Sequence, residues 1–224
     1  MRLKWDQTGE KTYETGIEQC VLFLINEETG AYDKGVAWNG ISAVEENPSG
    51  GEPTAIYADN KKYLNLMSAE EFAATIKAYT YPDEFAECDG SVEIAPGVYA
   101  GQQNRKTFGL CYKTIKGNDV QGMDYGYKLH FVYGALAAPS GKTYNTVNDN
   151  PEAGDLSWTI STTPVDVPKA KPSATIVFDS TKCDPEKLKK LEDIIYGTDA
   201  TEGKGTDSRM PLPAELIELL GKAA

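Results

Sequence analysis

The residue type best suited to acid–base catalysis at neutral pH is histidine, and the chain contains a single one, His130. Catalytic arrangements of the Ser-His-Asp or Cys-His type hold a histidine beside a nucleophile. His130 stands in the middle of an alternating segment, on the face opposite Leu129 and Phe131, and no nucleophile motif accompanies it. The sequence therefore predicts a surface or interface histidine rather than a catalytic one.

A second chemical pattern is Gly141-Lys142-Thr143, which resembles the end of a phosphate-binding loop. The complete motif has a glycine five positions before Gly141, where this chain has Leu136. The motif also requires a helix directly after it, and residues 144–147 do not follow a helical pattern. We therefore expect no nucleotide site here.

Potential metal ligands are too scattered to predict a metal site. The four cysteines form no C-x-x-C pair, as a zinc site would need, and no disulfide framework of a small secreted domain; they are Cys20, Cys88, Cys111 and Cys183. We expect four reduced thiols, with Cys20 and Cys111 buried in strands. The Asn- and Asp-rich stretches 118–124 and 148–150 lack calcium-loop spacing and are typical of turns. The sequence thus predicts no cofactor, no metal and no enzymatic activity.

The acidic composition argues against two further classes of function. Thirty-four acidic residues oppose 22 basic ones, which gives a net charge of −12. Tight binding to duplex DNA needs basic residues that neutralise phosphates, so we expect no general affinity for nucleic acid. The best apolar run, 20–25, is far shorter than the roughly 20 residues that span a bilayer. The first residues lack the apolar core of a signal peptide, so we expect synthesis in the cytoplasm and no membrane partner.

Short alternating segments between turn residues predict a mainly β, antiparallel fold. The clearest pair of strands is 108–114 and 128–133, and the polar, glycine-rich residues between them indicate a long hairpin. Further strands are predicted at 17–25, 36–44, 55–58, 92–95, 156–163 and 174–179.

Helix signals are fewer. Ser68 and Glu71 match a capping box and predict a helix of one or two turns that runs into a strand before Pro82. Asp184 followed by Pro185 predicts a second helix, which ends at Gly197.

After Gly197 a polar, glycine-containing linker leads to an apolar stub at 214–220. This pattern indicates an arm that docks either on its own domain or on a neighbouring subunit. We divide the chain into an N-terminal arm (1–15), a main domain (16–196) and a C-terminal arm (197–224).

Several segments, in order along nearly the whole chain, resemble the major tail tube proteins of long-tailed phages and prophages of Gram-positive bacteria. None of them is a catalytic signature, so the resemblance depends on their number and order. They are 36–41, 55–60, 78–85, 126–134, 158–167 and 188–198, with Pro211-Leu212-Pro213 near the end.

The resemblance implies a β-sandwich or half-barrel with a short helix and extended arms. It also implies six copies in a ring and rings stacked into a tail tube. Such a tube encloses a tape-measure protein, joins tail terminator and baseplate or tail-tip proteins, and conducts DNA without binding it tightly. The location implied is the virion tail, assembled in the host cytoplasm, and the likeness favours a non-contractile tail.

Ring-to-ring contacts in this family usually come from a long hairpin or loop and from the terminal arms. In this chain the matching segments are the loop 45–53, the hairpin tip 117–126 and the two arms, although the loop and the tip also fit ordinary solvated turns. The candidate contact residues are Glu45, Glu46, Asn47, Pro48, Lys116, Asn118, Asp119, Asp124, Tyr125, Met210, Leu212 and Leu216.

Two other functions fit the sequence. A carbohydrate- or cell-wall-binding β-sandwich module would use the 13 tyrosines and three tryptophans as a sugar platform. Trp38 and Trp158 lie within alternating strands, however, where core packing is the commoner use of an aromatic side chain. A tail terminator or head–tail connector would share the fold and form single rings.

Overall fold

The computed structural model describes residues 2–26, 28–147, 149, 153–199 and 205–220, and within them the protein is mainly β. The strands are β1 (Thr12–Leu24), β2 (Val36–Ala37), β3 (Ile41–Glu46), β4 (Ser49–Gly50), β5 (Pro53–Ala58), β6 (Lys61–Met67), β7 (Glu70–Glu71), β8 (Ala73–Ala78), β9 (Val92–Ala95), β10 (Val98–Ala100), β11 (Phe108–Asn118), β12 (Gly122–Ala137), β13 (Leu156–Thr162) and β14 (Thr175–Asp179). The helices are a 3₁₀ turn (Asp83–Ala86), α1 (Pro185–Tyr196) and α2 (Pro213–Leu220). In the described residues no helix is long and apolar enough to cross a membrane.

One antiparallel sheet of eight strands forms the body, in the order β2-β1-β11-β12-β13-β8-β3, with β14 added beside β12. The long strand β12 pairs with β14 through its middle and with β13 through its last residues. Gly134 separates these two pairings. Its φ is +57°, and a Cβ there would lie 2.5 Å from the carbonyl oxygen of Thr163, so only glycine fits.

The central strands β1, β11 and β12 are apolar on both faces because each face lies against a separate core. The first core lies between these strands and β8 and β13, with Phe85 and Trp158 fully buried and their rings 5.2 Å apart. The sheet is therefore curled into a half-barrel, and β1 comes into contact with β3. Trp38 fastens this end, since its backbone N–H donates to the carbonyl of Cys20 and its indole N–H donates to that of Thr80.

The second core lies on the opposite face, beneath the two α-helices. Asp184 caps α1 by accepting hydrogen bonds from the backbone N–H groups of Glu186 and Lys187. Leu191 and Ile195 of α1 are fully buried in this core against the apolar side chains of β1 and β12. Thus α1 buries one stripe of side chains, as an amphipathic helix on a sheet does.

The predicted mainly β class is confirmed, as are the hairpin of β11 and β12 and the helix that begins after Asp184 and ends before Gly197. The predicted helix at Ser68 is wrong. The chain forms β7 and β8 there, because Ala74, Ile76 and Ala78 alternate into the first core while β8 pairs with both β3 and β13. The Ser68 hydroxyl instead accepts a hydrogen bond from the backbone N–H of Gly51.

Candidate assembly surfaces

The sequence predicted a surface or interface histidine at 130, and the surface position is wrong because His130 is buried within the body. Its ring stacks on Tyr112 with centroids 4.7 Å apart, and its Nε2 lies 2.9 Å from the Thr114 hydroxyl. Nδ1 lies 3.4 Å from Oε1 of Glu46, an oxygen that also accepts a hydrogen bond of 2.7 Å from the Tyr112 hydroxyl. His130 first and Tyr112 second lower the pKa of Glu46, against the opposing effect of its burial. The cluster joins the end of β3 to the central strands.

The other chemically suggestive residues also have internal partners. All four cysteines are free thiols, as expected, and burial raises the pKa of Cys20, Cys111 and Cys88, that of Cys88 to about 12. Such thiols are poor nucleophiles at neutral pH. No group of three potential ligands that could hold a metal ion is found within the described part of the chain.

Lys142, the lysine of the Gly-Lys-Thr segment, binds a carboxylate of its own chain. Its Nζ lies 2.5 Å from Oδ2 of Asp89, a largely buried side chain whose Oδ1 accepts the indole N–H of Trp158 at 3.0 Å. Arg105 lies 3.4 Å from the same Oδ1. Lys142 therefore holds the segment after β12 against the first core.

The hairpin of β11 and β12 is longer and tighter than the predicted polar tip. Pairing continues to Asn118 and Gly122, and three residues remain for the turn. The side-chain oxygen of Asn118 accepts the backbone N–H groups of Val120 and Gln121, and Asp119 accepts the backbone N–H of Gly9. These two candidates thus shape the turn and hold the N-terminal segment against it.

Lys116, Asp124 and Tyr125 lie in the strands of the same hairpin. Lys116 forms an ion pair of 2.6 Å with Asp179, and both side chains are largely buried. Burial alone would raise the pKa of Asp179, but hydrogen bonds from Lys116 and Thr181 and the lysine charge lower it to about 2. Asp124 is exposed, and the half-buried ring of Tyr125 lies 5.9 Å from the Lys116 ammonium.

The predicted loop 45–53 is mostly strand. Glu45 and Glu46 end β3, and Glu45 forms an exposed ion pair of 2.6 Å with Lys77. Asn47 and Pro48 connect β3 to β4, and the Asn47 amide donates to the carbonyl of Glu45. The chain passes through β4 directly into β5, so these residues form the base of a hairpin.

The three candidate contact residues near the C-terminus differ in burial. Met210 and Leu216 are 5% and 1% exposed and belong to the second core, whereas Leu212 is half exposed. Arg209 fixes this segment, since its backbone N–H donates to the carbonyl of Ile194 and its guanidinium pairs with Glu215. The described part of the predicted C-terminal arm, 205–220, therefore docks on its own domain; residues 200–204 and 221–224 lie outside the described residues.

The predicted boundary between the N-terminal arm and the main domain also shifts. Strand β1 runs from Thr12 to Leu24 without interruption, across the predicted division at 15 and 16. Before it, Leu3 and Trp5 are both 73% exposed. The free N-terminal segment is therefore shorter than predicted.

One exposed apolar surface that the sequence did not predict is the hairpin of β5 and β6, residues 53–67, called the arm from here on. Its two strands pair with each other and, within the described chain, with no other strand. Its exposed apolar side chains are Ile56, Tyr57, Tyr63, Leu64, Leu66 and Met67. Alternation places these side chains on both faces of the hairpin, so neither face of the arm is covered.

Local sequence explains why the arm forms. Asp59 and Asn60 occupy the two turn positions with φ of 51° and 60°, the left-handed conformation that a type I′ turn requires. Asp and Asn tolerate that conformation better than other residues with a side chain. The dipeptide Asp59-Asn60 between two alternating apolar segments was thus a signal that would have found the hairpin.

A second open feature is the seam where the half-barrel fails to close. The outer edge of β1 has no strand partner from Thr12 to Gln19, since β2 pairs only at Val21 and Leu22, and β3 ends the sheet on the other side. A pocket of about 520 Å³ lies at this seam. Its lining includes Ile17, Cys20, Ala37, Trp38, Ile41 and Tyr196, together with Glu18. We call the pocket and the free β1 edge the seam groove.

The sequence matches no protein-family model, and a search of curated proteins returns no match either.

Proposed function

We propose that this chain is a self-assembling structural subunit, the major tail tube protein of a long-tailed phage or prophage. The observation that carries the proposal is the arm, an apolar hairpin that no part of the described chain covers. A two-stranded hairpin by itself is marginally stable in water, and exposed apolar side chains on both faces add a cost that a partner surface removes. Since the arm and its docking surface differ, copies joined in this way continue head to tail, into rings or filaments.

The charge of the arm favours a second copy as that partner. Residues 53–67 contain two lysines and one aspartate, a net charge of +1, whereas the whole chain carries −12. The remainder of each copy therefore carries −13 and attracts the arm of another. Whole copies still repel one another at −12 each, so burial of the arm's apolar side chains must supply most of the association free energy.

The remaining properties of the proposal come from the family resemblance. Six copies form a ring, and rings stack into a virion tail tube that encloses a tape-measure protein and binds tail terminator and tail-tip proteins. The acidic body suits a conduit, because DNA passing through it is repelled rather than held. The proposed role needs no catalysis.

The sugar-binding alternative lacks its best platform. Trp38 and Trp158 are 3% and 0% exposed, so neither ring can stack on a sugar. A tail terminator would also use the arm for self-association, but its copies would form a single ring instead of a stacked tube.

Electron microscopy of the purified protein at high concentration tests the proposal. We expect hollow tubes of stacked sixfold rings, and a variant with residues 53–67 replaced by Gly-Gly should remain dispersed. Single rings that never stack would favour the terminator. Monomers that persist with tape-measure and tail-tip proteins supplied would overturn the proposal.

A further inference from the structure

We infer that the seam groove of one copy receives the arm of another, an inference that rests on the proposed self-assembly. The arm adds to the free edge of β1 by backbone pairing, and its apolar side chains enter the pocket between β1 and the start of β3. Each copy then gives one arm and receives one.

Backbone hydrogen bonding is the first argument. The β1 edge from Thr12 to Gln19 has no strand partner, and β1 is bulged between Thr15 and Ile17 and between Glu18 and Val21. The regular stretch 12–15 therefore offers the template for another strand. The arm has two free edges of its own, since β5 and β6 pair only with each other. Strand addition satisfies both sets of groups, as in other complexes formed by β-augmentation.

Apolar complementarity is the second argument. The seam pocket is lined by Ile17, Ala37 and Ile41 over a floor that contains Trp38, and it lies directly beside the free edge. An added strand places every second side chain over that pocket. The arm supplies such side chains, among them the directly paired Ile56 and Leu64.

Charge is the third argument. The charged residue that lines the pocket is Glu18, which pairs with Lys113 at 3.0 Å and keeps 44% of its side chain exposed. The arm tip carries Lys61 and Lys62. Because Glu18 is already paired with Lys113, the two lysines of the tip act only on the exposed part of one carboxylate, and this attraction is weak.

A complementation experiment tests the inference. The donor variant is Ala37→Arg, which fills the groove of its own copy and repels the basic tip; Ala37 is exposed, so the fold is retained. The receiver variant has residues 53–67 replaced by Gly-Gly. We expect each variant to remain monomeric alone and the mixture to form a one-to-one heterodimer, measured by light scattering, with amide exchange slowed in residues 12–19 of the receiver.

Matched controls separate the possible failures. Ala170→Arg makes the same change at an exposed alanine outside the groove and should shift the critical concentration for assembly by less than about twofold, against about tenfold or more for Ala37→Arg. If wild-type tubes form but Ala37→Arg assembles like Ala170→Arg, the groove inference is wrong and the proposed function stands. If the arm-deleted variant assembles like wild type, the arm is not the donor and the inference is again wrong.

Discussion

Two segments of this chain look alike in composition and behave differently in the structure: the arm and the C-terminal segment 205–220. Both are short, contain several large apolar residues and lie beside polar or glycine-containing stretches. The C-terminal segment places Met210 and Leu216 in the second core, while the arm keeps Tyr57, Tyr63 and Met67 about 70% exposed. Apolar content therefore shows that a segment must dock, and only the tertiary fold shows whether its site is in the same chain.

Removal of each segment should give the largest difference in unfolding free energy between the two. A chain that ends at Ser208 loses both core side chains and the Arg209–Glu215 pair, and we expect it to lose roughly 5 kcal/mol of folding free energy or to fail to fold cooperatively. Replacing residues 53–67 by Gly-Gly should change the unfolding free energy by less than about 1 kcal/mol. Chemical denaturation followed by circular dichroism measures both, and equal losses would contradict the distinction.

The sequence predicted the strands better than it predicted the surfaces. Apolar runs located β1, β11 and β12, which are buried on both faces, and period-two alternation located β13, which is buried on one face. The prediction failed at residues 68–72, where Ser68 and Glu71 fit a capping box but no helix forms. The strand predicted to follow before Pro82 is present as β8, paired with β3 and β13. The sequence also could not assign His130, because the stacking on Tyr112 depends on the register of β11 against β12.

Surface function was harder to predict because no local pattern distinguishes an internal contact from an external one. Lys116 and Met210 are among the predicted ring-to-ring contact residues, and both have partners within the chain. Conversely, the arm contains an ordinary strand pattern, and nothing in it indicates that the body leaves it uncovered.

Single leucine substitutions test the same difference in burial at one residue of each segment. Leu216 is 1% exposed and Leu66 is 56% exposed. Leu216→Ala should cost about 2–5 kcal/mol, because it leaves a cavity in the second core. Leu66→Ala should cost less than about 0.5 kcal/mol in the isolated subunit. A larger loss from Leu66→Ala would mean that the arm packs on its own body in solution.

The hairpin of β11 and β12 has a largely buried ion pair, Lys116–Asp179, whereas the ion pair at the base of the arm, Lys77–Glu45, is exposed. The pH dependence of the unfolding free energy distinguishes the two. The pKa of Asp179 falls from 3.8 to about 2 beside Lys116, so the fold gains roughly 2 kcal/mol above the unfolded pKa and loses it as pH falls through about 2. Lys116→Met removes the lysine hydrogen bond and charge but leaves the two hydrogen bonds from Thr181, so it should reduce this gain and make the dependence of the unfolding free energy shallower between pH 5 and pH 2.

The control for that prediction is Lys77→Met, which removes an exposed pair with Glu45 at the base of the arm. Water and salt screen an exposed ion pair, so this variant should keep the pH dependence of the wild type. Identical pH profiles for wild type and Lys116→Met would show that the Lys116–Asp179 pair does not stabilise the body.

Limited trypsin digestion should give the smallest change in stability and the sharpest contrast in accessibility. Lys61 and Lys62 follow the arm's turn, at an exposed hairpin tip where cleavage needs no unfolding of the body. The backbone N–H of Arg209 donates to the carbonyl of Ile194, so cleavage after Arg209 requires the second core to open first. We expect the first cut in the isolated subunit at Lys61 or Lys62, and the nicked protein to melt within about 0.5 kcal/mol of the intact one. A Lys61→Ala, Lys62→Ala double variant should lose that cut, and assembled wild-type protein should resist it, because the arm is then covered. A first cut at Arg209 would reverse the comparison and make the C-terminal segment the more weakly held of the two.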